Sequence, residues 1–135
     1  MSSIVVGFID TPQGRAAIDA AVSESRLRGA PLVIVHSMMG GSHESEEEYL
    51  AAREALERLE QRLTDEGVDF SVHEYVRGQK PAEDLVQAAT EFDAELIVIG
   101  IRRRSATGKV LLGSNALDIL HDSPVPVLCV KANES

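Results

Sequence analysis

The sequence predicts an α/β fold: an open, mostly parallel five-stranded twisted sheet with helices on both faces. Short apolar runs rich in β-branched residues recur five times along the chain. Most show no polar alternation, as in strands covered on both faces. A longer stretch of helical period separates each run from the next, so the strands should be joined by right-handed crossovers. The 135 residues, 44% hydrophobic and 26% charged, have the size and composition of one globular domain spanning 1–135.

Residues 4–9 are the first run, a strand without polar alternation. Thr11 is placed to cap the following helix and Pro12 to occupy its first position. Over residues 13–28, Ala17, Ile18, Ala21 and Val22 share one helical face, and Gly29 ends the helix. Residues 32–36 form the second strand. Residues 37–43 contain Gly40 and Gly41 and read as a mobile loop. Ser42 opens the next helix, with Glu44, Glu46, Glu47 and Glu48 placed favourably against its dipole. Tyr49, Ala52, Leu56, Leu59 and Leu63 then recur at steps of three and four, an apolar stripe on an acidic helix that Gly67 ends.

Residues 70–76 alternate imperfectly, as expected at a sheet edge. Pro81 opens a helix whose inner face is Ala82, Leu85, Val86 and Ala89. Residues 96–99 are the fourth strand and run directly into Gly100. An irregular basic segment, 100–113, leads to a short helix over 114–121 that carries Leu117 and Leu120. Ser123 and Pro124 end it, and residues 125–130 are the last strand.

Charge and motifs narrow the function. Thirteen basic against 22 acidic residues give a net charge of −9, which opposes general nucleic-acid binding through phosphate neutralisation. The single cysteine, Cys129, forms no internal disulfide and suits a reducing, cytoplasmic setting. The N-terminal apolar run is too short for a membrane span and has no basic flank of a signal peptide. The four histidines show no metal-binding spacing, so no metal site is expected. Neither a nucleophile elbow nor a Walker A spacing occurs, and no catalytic residue stands out.

Ligands of open parallel sheets bind beyond the carboxyl ends of the strands. The segments there are residues 9–12, 37–41 and 100–115. The last holds Arg102, Arg103, Arg104 and Lys109 without an acid, beside Gly113 and Ser114 at a helix N-terminus. Glycine, outward amides and the helix dipole together suit a phosphate. A solvated loop paired with the acidic helix is the other reading. Asp10 is equally open: it can touch a ligand ribose or metal, or simply help turn strand into helix.

These residues resemble the universal stress protein family over essentially the whole chain. The resemblance rests on the opening Ile4-Val5-Val6-Gly7-Phe8, on residues 33–36, and on Leu96-Ile97-Val98-Ile99-Gly100. Most specific are Leu111-Leu112-Gly113-Ser114 and the block from Ser123 to Val130. Gly100, Gly113 and Ser114 keep the spacing of the glycine motif carried by ATP-binding members. Two positions depart: Arg103 replaces the motif's second glycine, and Ile9 stands where an aspartate is expected, with Asp10 following.

The resemblance implies an adenine-nucleotide alpha-hydrolase-like, Rossmann-like fold. It implies a homodimeric stress-response regulator binding ATP or a related adenine nucleotide, at most a slow ATPase. Thr11 and Ser37 would lie by the nucleoside, with Asp10 standing in for the missing aspartate. Gly100, Arg102, Arg103, Gly113, Ser114 and Asn115 would lie by the phosphates. Mg²⁺ would accompany the nucleotide, and Asp10 is the acid placed to hold it. Arg103 cannot match glycine's backbone freedom but can meet a phosphate through its guanidinium. The two-fold mate would pair along the last strand, through Val125, Val127, Leu128 and Val130; coverage by a helix of the same chain is the alternative. A dimeric interaction module without nucleotide, or a sensor of another phosphorylated ligand such as cyclic AMP, are the competing functions.

Overall fold

The computed structural model describes residues 2–37, 46–75, 80–102 and 112–132. Strands and helices alternate along it: β1 (Ser3–Gly7), α1 (Pro12–Arg28), β2 (Leu32–Ser37), α2 (Glu46–Asp65), β3 (Phe70–Tyr75), α3 (Pro81–Glu91), β4 (Ala94–Ile101), α4 (Ser114–Asp122) and β5 (Val127–Lys131). The sheet order is β3-β2-β1-β4-β5, and every ladder is parallel. The α/β sheet expected from the sequence is present, with β3 and β5 at its edges.

Helices on both sides account for the unbroken apolar strands. Ile4, Val6, Leu32, Ile34, Leu96 and Val98 pack under α1 and α2, with Ile18, Val22, Leu56 and Leu63. Val5, Val33, Val35, Ile97 and Ile99 face α3 and α4, with Leu85, Ala88 and Ile119. Each such aliphatic side chain contributes roughly 2 kcal/mol on full burial. Edge strand β3 is only half-buried over most of its length, in keeping with its imperfect alternation.

Several boundaries and faces differ from the sequence reading. β1 ends at Gly7 rather than Ile9. The Phe8 amide still donates to Val35 O at 2.8 Å, but the Thr11 amide then turns back onto Ile9 O at 2.9 Å. That tight turn takes Ile9 out of the sheet. Ala88, not Val86, completes the inner face of α3. In α4 the buried residue is Ile119, while Leu117 and Leu120 face outward at 53% and 41% exposure. β5 begins at Val127 because Pro124 and Pro126 have no amide hydrogen to offer the ladder. Ser42 and the loop 38–45, and Val76, lie outside the described residues.

Candidate functional site

From β1 the chain moves outward to β2 and β3, then returns through α3 to β4 on the other side of β1. The connections leaving β1 and β4 therefore diverge, and a crevice opens above their carboxyl ends. The N-terminal turns of α1, α3 and α4 all border it. A cavity of about 90 Å³ lies there, walled by Ile9 and Gln13, Pro81 and Leu85, Gly100 and Asn115.

Two glycines set how closely its walls approach. A Cβ on Gly100 would fall onto the backbone carbonyl of Gln13, and one on Gly14 onto that of Ile9. Both glycines therefore let the first turn of α1 lie directly against the end of β4 and the turn after β1. Thr11 holds that turn as expected: its hydroxyl caps α1 by accepting from the Gly14 amide at 3.0 Å, worth about 1 kcal/mol. The hydroxyl proton is left to donate elsewhere.

Helix α4 begins differently. Gly113 is its N-cap and brings no side chain to the first turn, and that turn carries no acid. The amides of Ser114, Asn115 and Ala116 have no acceptor within the helix, and among the described residues no side chain caps this positive end of α4 beside the cavity. Among the described residues no carboxylate lines the cavity, although the chain has 22 acidic residues.

The expected site residues separate into groups. Gly100 and Asn115 line the cavity, and Gly113 and Ser114 begin the helix that borders it. Thr11 caps α1 at its edge. Ser37 ends β2, half-buried and paired with Tyr75, and Arg102 is exposed just past β4. Asp10 turns to the other side of the β1 turn, where it pairs with Arg15 at 3.1 Å and lines a groove between α1 and α2. Ile9 lines the cleft and is 55% exposed. Arg103, Arg104 and Lys109 lie outside the described residues. Gln13, Gly14, Pro81, Ala82 and Leu85 line the cavity, and the sequence did not mark them as site residues. The available signal was Pro81, a helix start at the same end of a parallel sheet.

Among the described residues, no group of three or more His, Cys, Asp or Glu side chains is arranged to hold a metal ion. None of the described helices is long and apolar enough to cross a membrane. Burial pushes the Cys129 thiol up, away from the reactive thiolate. On β5 and the turn before it, Val125 and Val127 pack partly against the α3/α4 side and Val130 against the α1 side. Leu128 is left 36% exposed.

Comparison with known proteins gives a consistent result. A sequence profile described as the universal stress protein family matches residues 1–131. A universal stress protein of Mycolicibacterium smegmatis is 39% identical over 132 residues, covering 95% of this chain and 96% of its own. The structure of a universal stress protein from Archaeoglobus fulgidus superposes with a TM-score of 0.80 at 39% identity, covering 97% of this chain and 99% of that one. A universal stress protein structure from the same organism, in complex with dAMP, gives a TM-score of 0.73 at 34% identity, covering 97% and 98%.

Proposed function

The chain belongs to the universal stress protein family, and we propose that it is a homodimeric regulator binding an adenine nucleotide in the cleft above β1 and β4. The observation that carries this reading is the N-terminus of α4, which no side chain caps among the described residues, beside a cavity that no described carboxylate lines. Such a helix end attracts an anion through free amides and dipole. The dAMP complex of the 34% identical relative supports an adenine nucleotide as the ligand class.

In this arrangement Ile9, Pro81 and Leu85 supply apolar contact for the base. The ribose lies near Thr11, whose hydroxyl can donate, and toward Ser37. The phosphate meets the amides of Ser114 and Asn115 and the Ser114 hydroxyl, with Gly100 behind it. ATP would extend its further phosphates toward Arg102, bringing Mg²⁺ on its own oxygens. Asp10 is engaged with Arg15, so the ribose depends on Thr11 rather than on a carboxylate.

Native mass spectrometry tests this directly. Protein in millimolar dAMP or ATP should carry one nucleotide per chain on a dimer. Chains that stay empty in both would overturn nucleotide binding and leave an interaction module.

The dimer part of the proposal rests on β5, whose outer edge no described strand covers. Leu128 lies on that strand, with Leu117 and Leu120 exposed on the preceding helix. Exposed apolar edge strands invite pairing unless a partner takes them. Leu128→Lys adds a charge without disturbing the chain's own core. It should weaken dimerisation by roughly a hundredfold. An unchanged sedimentation coefficient at micromolar protein would count against this interface.

A further inference from the structure

A larger cavity, about 370 Å³, opens on the other side of Ile9, in the groove between α1 and α2. Ile9 is the one residue it shares with the cleft among the described residues. Its floor is apolar, formed by Ile18, Ala55 and Leu59 with Phe8 at one end. The rim is charged and unevenly matched. Arg15 pairs with Asp10 at 3.1 Å, and Arg62 with both Asp19 and Glu66 at 2.8 Å. Arg58, on the exposed side of the rim, has no carboxylate partner among the described residues.

Asp10 matches Arg15, and Asp19 and Glu66 both match Arg62, so Arg58 is the rim guanidinium left without a carboxylate among the described residues, in a chain whose net charge is −9. The volume falls in the range of small-molecule sites, which combine apolar walls with a few polar anchors. We propose that the groove binds a small amphipathic monoanion, a medium-chain carboxylate, with its apolar body on Ile18, Ala55 and Leu59 and its carboxylate on Arg58. A carboxylate suits a guanidinium geometrically, through two parallel hydrogen bonds. A dianion would need a second unmatched cation, because Arg15 and Arg62 are already engaged. A neutral ligand would forgo the charge-assisted bond.

Amide NMR spectra of the full chain, titrated with octanoate and separately with 1-octanol, test the site. Octanoate should shift the amides of Ile18, Ala55 and Leu59 saturably, and 1-octanol should bind roughly tenfold more weakly. Arg58→Gln, a change at an exposed side chain, should weaken octanoate by a similar factor and leave 1-octanol unaffected. Absence of saturable shifts at millimolar octanoate would overturn the proposal. So would equal octanoate affinity in Arg58→Gln, or shifts confined to Gly100 and Asn115 in the nucleotide cleft.

Discussion

Gly100→Ala should destabilise the protein by about 3 kcal/mol, the upper end for forcing extra volume into a packed site. For a domain of this size that lowers the midpoint of thermal unfolding by about 10 °C. The added methyl would meet the Gln13 carbonyl, which is backbone and cannot rotate away. Relief therefore requires the start of α1 to lift from β4, and α1 is anchored below by Ala17, Ile18, Ala21 and Val22 in the core. The lifted turn also carries Thr11, so nucleotide affinity should fall together with stability. Gly113→Ala is the matched control. Gly113 has φ −73° and no described atom near where a methyl would sit, so alanine there should lose only glycine's advantage as an N-cap and lower the melting midpoint by no more than about 4 °C. Equal melting of Gly100→Ala and wild type, by calorimetry, would show that the helix–strand contact is not tight.

The contrast between these two glycines marks the limit of what the sequence shows. Motif spacing places Gly100 and Gly113 together as phosphate residues and treats them alike. Their steric roles are opposite, because Gly100's neighbour is Gln13, distant in the chain, and no local pattern encodes that approach. The strands were legible for a physical reason: two covered faces demand continuous apolar side chains, as in residues 96–99. Thr11 and Pro12 were legible because helix caps are local chemistry. The face of α4 was not, since two turns carrying Leu117, Ile119 and Leu120 fit either orientation until β4 and α3 choose Ile119. Asp10 was legible as a residue type, but its direction depends on where Arg15 emerges from α1. Arg58 reads in sequence as part of a solvated acidic face. Its lack of a carboxylate partner among the described residues becomes visible only once α1 and α2 stand side by side.

Gly113→Asp should abolish adenine-nucleotide binding while leaving the fold intact or slightly firmer. Aspartate is a preferred N-cap, so its carboxylate would accept from the free amides of α4 and stabilise the helix by a few tenths of a kcal/mol relative to glycine. Those amides are the ones proposed to meet the phosphate, and the new carboxylate adds a like charge a few ångströms from it. At the effective dielectric of a protein surface that repulsion alone is on the order of several kcal/mol before salt screening. A loss of dAMP affinity of at least about a hundredfold is therefore expected by calorimetric titration. Gly113→Asn separates the two causes. Asparagine caps the same amides without charge, so it should cost about tenfold, while Gly113→Ala, which neither caps nor charges, should bind nearly as wild type. The ordering alanine, asparagine, aspartate is the signature of an anion seated on the end of α4. If aspartate binds dAMP as tightly as glycine does, the phosphate is held elsewhere, and the cleft's anion site must be sought beyond α4.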